Sequence, residues 1–325
     1  MRLASVLTPL DERHLTLAAQ CGVQDITVRY PGPDLTQLAK LQAQIAAHGM
    51  RLAIVEGYLP IERLKLGRDD GSELAALREL LRAMGRLGIP LLCYNFMAGT
   101  DWVRTRLDAP ERGGARVTEF DLADAERAVS LSATASRIAP ERLSAEQLWK
   151  NLERLLRALV PVAEECGVML AMHPDDPPLP EFQGKARIMN SVENFERLVR
   201  LVPSAHNGIC FCQGTFAAMG VDIPATIRRL GPHIHYVHFR DVRGAGPTHF
   251  VETFHDNGPT DMVAAMAAYR EVGFTGPMRP DHVPQLFGEE GGEPGYTMLG
   301  RLFAYGYMRG LMQAAEKYVR PPSQL

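Results

Sequence analysis

Short apolar segments alternate with longer amphipathic segments along the whole chain of 325 residues. This alternation is typical of a parallel sheet whose strands are covered by helices. The predicted strands span residues 3–7, 25–28, 51–56, 90–96, 168–173, 208–212, 234–239 and 277–281. Eight strands are the number that closes a barrel of alternating strands and helices. The pattern therefore favours a closed barrel over two smaller domains.

The segments between the strands support the same architecture. Apolar residues at helical spacing predict helices over residues 35–48, 73–87, 145–166, 192–201, 262–272 and 296–317. Several of them end on glycine shortly before the next strand, whereas the loops after strands are longer, at 97–144, 174–191 and 240–261. We predict an α/β protein, a single (β/α)8 TIM barrel domain over residues 1–325, with a loop insertion at about 97–144. Barrel enzymes build their sites from the loops that follow strands.

Composition excludes several function classes. The 35 Lys and Arg residues against 38 Asp and Glu residues give a net charge of -3, and no basic stripe suits nucleic acid. No segment approaches the roughly 20 apolar residues of a membrane span, and the apolar start of the chain is too short for a signal peptide. The 5 cysteines are scattered and odd in number, as in a reducing compartment. We expect a cytoplasmic protein without nucleic-acid or membrane partners.

Metal-binding side chains lie at or next to the ends of four successive predicted strands: His173, Cys212, His238 and Asp281. Adjacent strands lie about 4.8 Å apart, so ligands at equivalent heights can converge on one ion. Each residue alone is more often a packed side chain, but four coinciding strand ends favour ligands. A thiolate, two imidazoles and a carboxylate suit zinc, iron(II), cobalt or manganese better than calcium or magnesium. Cys210 is expected to be a small core residue one layer below Cys212.

Further polar residues surround these strand ends. Asp175 and Asp176 follow His173 directly, where they would orient imidazoles or cap a turn. His282 and Tyr296 are a candidate acid/base pair beside the ion. Four arginines are candidates to bind a substrate carboxylate or to contact the ligands from outside: Arg104, Arg187, Arg240 and Arg279. Any one arginine also has a structural interpretation.

Short motifs mark these strand ends: HPDDPP at 173–178, FCQG at 211–214, VHFR at 237–240, FHDNG at 254–258, RPDH at 279–282 and PGY at 294–296. Together they resemble the mannonate dehydratase family. The segments YNFM at 94–97 and DWVRT at 101–105 extend the resemblance back to the fourth strand, so it covers the chain from about residue 90 onward.

The resemblance implies a barrel of the xylose-isomerase type with one manganese or iron(II) ion. It implies conversion of D-mannonate to 2-keto-3-deoxy-D-gluconate plus water, within hexuronate catabolism. Carried onto this sequence, the ligands are His173, Cys212, His238 and Asp281, and the acid/base pair is His282 and Tyr296. A nearby cation would favour a phenolate, so the sequence makes Tyr296 the expected base and His282 the expected acid.

Other functions remain open at this stage. One is a sugar isomerase or epimerase of the same barrel group, whose sites are richer in carboxylates. Another is an abasic-site endonuclease, which would need a basic face. A third is a non-catalytic sugar-binding barrel, which would have no need for a His–Tyr pair. The sequence does not fix the oligomeric state, and a homo-oligomer is compatible with it.

Overall fold

Eight parallel strands close into a barrel in this computed structural model, which describes residues 1–99, 102–127, 129–130 and 142–321. The strands are β1 (Arg2–Val6), β2 (Asp25–Val28), β3 (Arg51–Glu56), β4 (Leu91–Tyr94), β5 (Met169–Met172), β6 (Asn207–Cys212), β7 (Ile234–Phe239) and β8 (Pro277–Pro280). They follow one another around the barrel in chain order, and β8 pairs with β1 to close it. The predicted (β/α)8 barrel is confirmed.

Helices cover the outside of the barrel. They are α1 (Glu12–Gln20), α2 (Thr36–Ala46), α3 (Glu62–Lys65), α4 (Ser72–Leu87), α5 (Ala145–Cys166), α6 (Val192–Leu201), α7 (Gln213–Ala218), α8 (Ile223–Leu230), α9 (Met262–Glu271) and α10 (Met298–Tyr318). The six helices predicted from spacing are present within about two residues of their predicted bounds. Four further helices, α1, α3, α7 and α8, were not predicted, because a short helix has too few turns to show a clear periodic pattern of apolar residues.

The core has two layers because side chains alternate along each strand. Ala171, Cys210 and Tyr236 point into the barrel, where they belong to one buried apolar cluster. Leu170 and Ile209 point outward and pack in the larger cluster between strands and helices. Cys210 is therefore the buried interior residue that was expected.

Helix ends explain why the chain turns where it does. Ser144 and Asp222 each precede a helix and accept a hydrogen bond from the backbone three residues later, which caps the first turn. Gly88 and Gly167 end α4 and α5 with φ near 66°, a left-handed conformation that glycine adopts without steric cost. The helix–Gly–strand junctions therefore return the chain directly to the barrel.

The long loops after strands carry structure of their own. Arg106–Pro110 and Arg116–Asp121 in one loop join Val242–Gly244 and His249–Glu252 in another to form a small four-stranded sheet. Both segments were predicted only as long loops after strands. The sheet contributes Glu252 to the carboxyl-terminal mouth of the barrel. No helix among the described residues has the length and apolar character needed to cross a membrane.

Candidate active site

Strand register brings the predicted ligands to one edge of the barrel. Cys212, the last residue of β6, pairs with His238 on β7, and His238 pairs with Arg279 on β8. Asp281 lies two residues beyond Arg279, and His173 directly follows β5. Because the carboxyl ends of parallel strands meet at one edge, these side chains surround one space at the mouth of the barrel.

The donor atoms lie close enough for one ion. A ring nitrogen of His173, a ring nitrogen of His238 and the sulfur of Cys212 all lie within 4.8 Å of one another. Asp281 Oδ2 lies 3.6 Å from His238 Nδ1 and 4.0 Å from Cys212 Sγ. Ligands bound at about 2.0–2.3 Å in a tetrahedron lie roughly 3.3–3.8 Å apart, so only a small contraction is needed. The set fits a divalent metal ion, and its role as ligands remains a prediction.

The ionisation of the site also suits a metal. Burial disfavours the Cys212 thiolate, but Arg240 and His173 outweigh burial and hold the pKa of the thiol well below its ordinary value. Burial likewise disfavours the Asp281 carboxylate, yet Arg279 and His282 hold its pKa well below the usual range. Metals bind the deprotonated forms of both groups. The site therefore presents its thiolate and carboxylate in the state that coordinates.

The neighbouring thiolate also affects the protonation of His173. Burial opposes its protonation, but the neighbouring Cys212 thiolate raises the pKa of His173 to about 10. In the metal-free protein the imidazolium and thiolate are therefore an ion pair. A metal that binds both side chains displaces the proton from His173.

A second group of donor atoms lies deeper in the barrel. Cys93, Cys210 and one nitrogen of His238 also lie within 4.8 Å of one another. Burial, with the adjacent Cys93, raises the pKa of the Cys210 thiol well above its ordinary value. A thiol that keeps its proton is a poor ligand. The group around Cys212 is therefore the better metal site.

The predicted acid/base pair borders the same space. The Tyr296 hydroxyl donates to Asp281 Oδ1 at 3.4 Å, and His282 Nε2 lies 3.6 Å from that oxygen. Trp102 stacks on the His282 ring with centroids 4.1 Å apart. His282 has a φ of 43°, an uncommon conformation for this residue type and one found at functional sites. Burial, then Asp281, raises the pKa of Tyr296, so its hydroxyl keeps its proton.

Two predicted arginines belong to a buried ion-pair network. Asp176 accepts from Arg104 Nη1 at 2.7 Å and from Arg240 Nη2 at 2.7 Å. Glu252 accepts from Arg104 at 2.6 Å and from Arg240 at 2.7 Å, and its Oε1 lies 2.9 Å from His282 Nδ1. Both guanidinium groups are committed to carboxylates of the chain. This geometry suits support of the site better than capture of a substrate carboxylate.

Asp175 and Arg187 lie apart from the pocket. Asp175 is buried and accepts from the backbone nitrogen of Met189 at 2.7 Å. Arg187 is buried as well, with its guanidinium carbon 5.6 Å from the centre of the Phe182 ring. Neither residue is among the described residues that line the pocket. Of the two carboxylates that follow His173, only Asp176 lines the pocket.

The pocket at this mouth has about 550 Å³ of atom-free space, part of it open to solvent. His173, His238 and Asp281 lie on its wall together with His282 and Tyr296. Three of the four predicted ligands and the predicted acid/base pair therefore line one cavity, and the Cys212 sulfur lies within 4.8 Å of ring nitrogens of His173 and His238. The segment that begins at Trp102 reaches this cavity, while Thr100 and Asp101 lie outside the described residues.

Three charged residues of the site were not predicted from the sequence. Glu56 is the last residue of β3, and a carboxylate that ends an apolar barrel strand was a usable signal. Arg29 directly follows β2, pairs with Glu56 at 3.2 Å, and has a side chain that is 25% exposed. Glu252 could not be found this way, because its strand belongs to the small sheet that the loops form.

The chain is similar to known proteins over most of its length. The sequence matches the D-mannonate dehydratase (UxuA) family over residues 14–321. It is 34% identical over 315 residues to Mannonate dehydratase 2 of Halalkalibacterium halodurans, an alignment that covers 90% of each chain. The crystal structure of mannonate dehydratase from Streptococcus suis superposes with a TM-score of 0.88 at 30% identity, covering 99% of this chain and 97% of that one.

A more distant likeness bears on the fold alone. A xylose isomerase domain protein from Planctomyces limnophilus superposes with a TM-score of 0.61 at 14% identity and covers 98% of each chain. The family match and the similarity to the relatives extend over nearly the whole length of the chain. The chain belongs to the D-mannonate dehydratase family.

Proposed function

We propose that the protein converts D-mannonate to 2-keto-3-deoxy-D-gluconate and water at this pocket. One divalent ion would be held by His173, Cys212, His238 and Asp281. The observation that carries the proposal is that His173, His238, Asp281, His282 and Tyr296 line one cavity, with the Cys212 sulfur within 4.8 Å of ring nitrogens of both histidine ligands, in a chain of this family. We further propose a cytoplasmic role in hexuronate catabolism.

The donor set favours manganese or iron(II) over magnesium. Thiolate and imidazole are softer ligands than the oxygen atoms that magnesium prefers. Lewis-acid stabilisation of the negative charge that develops on the substrate carboxylate is the chemistry that such an ion supplies. Side chains of the protein bind the substrate and transfer the protons.

The contacts support a division of the proton-transfer roles. Glu252 Oε1 lies 2.9 Å from His282 Nδ1, closer than Arg104 Nη2 at 3.3 Å, and so favours a proton on Nδ1. His282 Nε2 is then free to take the proton from C2 of the sugar acid. Tyr296 keeps its proton because its pKa is raised, and it donates that proton to the departing C3 hydroxyl. This division is opposite to the one expected from sequence, because burial and Asp281 outweigh the nearby cations.

The reaction balances on these two residues. Loss of the C2 proton to His282 and breakage of the C3–O bond, with the proton of Tyr296, give an enol and one molecule of water. The enol then tautomerises to the 2-keto acid. In that step His282 delivers the C2-derived proton to C3 and the enol hydroxyl returns a proton to Tyr296, which restores both starting protonation states.

Charges around the pocket support a substrate with one carboxylate. The positive charges of four arginines and the negative charges of four carboxylates cancel one another. The arginines are Arg29, Arg104, Arg240 and Arg279, and the carboxylates are Glu56, Asp176, Glu252 and Asp281. The Cys212 thiolate then contributes one negative charge and a divalent ion two positive charges. The loaded site carries a net charge near +1, which one substrate carboxylate neutralises.

A turnover assay tests the proposal directly. Protein reconstituted with Mn²⁺ or Fe²⁺ is incubated with a panel of aldonic acids, and 2-keto-3-deoxy acids are quantified. We expect product from D-mannonate with equimolar loss of substrate. Formation of an epimer or of an isomer with no loss of water would refute dehydration and indicate an isomerase or epimerase. Binding without any conversion would indicate a sugar-binding barrel.

A further inference from the structure

Glu56 reaches toward the predicted ligands from the far side of the barrel. It ends β3, while His238 and Asp281 belong to β7 and the end of β8, which are not neighbours of β3. The Glu56 side chain is buried, and a carboxylate at this depth needs strong polar partners.

The first of these partners is His238. Glu56 Oε2 lies 3.4 Å from His238 Nε2, a ring nitrogen with no hydrogen bond to the described residues. On the other side of the ring, Arg279 Nη2 donates to Nδ1 at 3.4 Å. A guanidinium donates only to a nitrogen with a free lone pair, and a carboxylate favours a protonated nitrogen. Both contacts select the tautomer with the proton on Nε2.

That tautomer places a lone pair on Nδ1, and a metal that binds there takes the lone pair in place of the 3.4 Å contact with Arg279. Nδ1 is the nitrogen that lies 3.6 Å from Asp281 Oδ2, the side on which the other predicted ligands lie. A carboxylate that accepts from the second nitrogen of a ligating histidine fixes the ring and strengthens it as a ligand. Glu56 is placed to do this for His238.

The second partner connects Glu56 to another ligand. Arg279 Nη2 donates to Glu56 Oε1 at 2.8 Å, and Arg279 Nη1 donates to Asp281 Oδ1 at 2.6 Å. One guanidinium therefore bridges the two carboxylates. The other oxygen, Asp281 Oδ2, lies near His238 and Cys212 and is also 3.1 Å from Arg240 Nε. Tyr236 also holds the Glu56 carboxylate in place, because its hydroxyl donates to Glu56 Oε2 at 3.2 Å.

We propose that Glu56 is the positioning residue of the metal centre, which orients His238 directly and Asp281 through Arg279. The inference rests on the proposed function, because it assumes that the ion lies between His173, Cys212, His238 and Asp281. Glu56 itself does not coordinate the ion.

The test compares two buried carboxylates. Glu56→Gln keeps the size of the side chain and one acceptor oxygen but loses the charge that holds Arg279. Asp25→Asn is the matched control, because Asp25 is also a buried strand carboxylate between two arginines, Arg2 and Arg51, but begins β2 and so lies at the opposite end of the barrel. The Kd for Mn²⁺ is measured by chelator competition on full-length protein.

We expect Glu56→Gln to weaken Mn²⁺ binding about 10- to 100-fold and Asp25→Asn to leave the Kd within about twofold. The visible spectrum of the Co²⁺ form provides a second readout. Loss of positioning should shift its ligand-field bands, whereas simple loss of a negative charge weakens affinity and leaves the bands in place. Unshifted bands in Glu56→Gln would overturn the proposal, and so would an unchanged Kd.

Two other results would have explanations other than a positioning role, and a second variant covers a failure of Glu56→Gln to fold. Loss of binding as complete as in Asp281→Asn would show Glu56 to be a ligand, which also overturns a positioning role. If Glu56→Gln does not fold, Tyr236→Phe removes one contact to Glu56 without changing charge and should shift the Co²⁺ bands with a smaller change in Kd. If the unmodified protein binds no metal, or its Co²⁺ form lacks thiolate absorption, the proposed metal site fails rather than the role of Glu56.

Discussion

The buried network around Asp176 allows a quantitative prediction of stability. Asp176 accepts from Arg104 at 2.7 and 3.1 Å and from Arg240 at 2.7 Å. The side chains of Arg104 and Arg240 are 0% and 1% exposed. Asp176→Asn removes the charge and leaves both guanidinium groups out of contact with water, with Glu252 as their shared counter-charge.

The expected cost follows from the desolvation of those guanidinium groups. Removing one partner of a buried ion pair costs roughly 3–5 kcal/mol, because the remaining charge stays buried without compensation. Glu252 keeps part of that compensation, so we expect the lower end, about 3 kcal/mol. Asp25→Asn is the comparison, because Asp25 also pairs with two arginines, whose side chains are 36% and 48% exposed. Water solvates those groups, and we expect a cost of roughly 1 kcal/mol.

Urea unfolding followed by far-UV circular dichroism measures both free energies of unfolding. A double-mutant cycle sharpens the comparison: Arg104→Met in the Asp176→Asn background removes one of the stranded charges, so the double variant should cost less than the sum of the single variants. Equal costs at Asp176 and Asp25 would refute the reasoning, since arginine exposure is the difference on which it depends. Additive costs in the cycle would refute it as well.

Other predictions concern the site and its pH dependence. Tyr296→Phe and His282→Asn should each lower kcat by about 10²-fold with metal content unchanged, and normal turnover in both would exclude this pair. Chelation should abolish turnover but preserve the far-UV spectrum, and manganese or iron(II) should restore more activity than magnesium; unfolding on chelation would instead indicate a structural ion. Arg29→Met should raise KM about tenfold, because Arg29 is a partly exposed guanidinium of the pocket; an effect on kcat alone would contradict substrate binding. Stability should fall as pH drops from about 6.5 to 4, because burial lowers the pKa of His235 to about 4 and only the unfolded chain takes up a proton there. His235→Gln should flatten that dependence in urea midpoints, and an unchanged slope would exclude His235 as its cause.

The barrel and the predicted ligand set could be derived from local sequence patterns. Strand alternation depends only on neighbouring residues, so the interior position of Cys210 followed from its spacing of two residues from Cys212. Parallel strands end at one edge, so the side chains that end them, such as His173 and Cys212, were expected to meet, and the structure brings them within 4.8 Å.

Tertiary structure decided which polar residues interact and in what ionisation state. Sequence offered Arg104 and Arg240 for a substrate carboxylate, but the folded loops bury both against Asp176 and Glu252. Glu252 reaches this network because the small sheet joins loops that are distant in sequence. Burial and Asp281 reverse the expected ionisation of Tyr296. Ion pairing and desolvation depend on distances through space, whereas local sequence patterns report only neighbours along the chain.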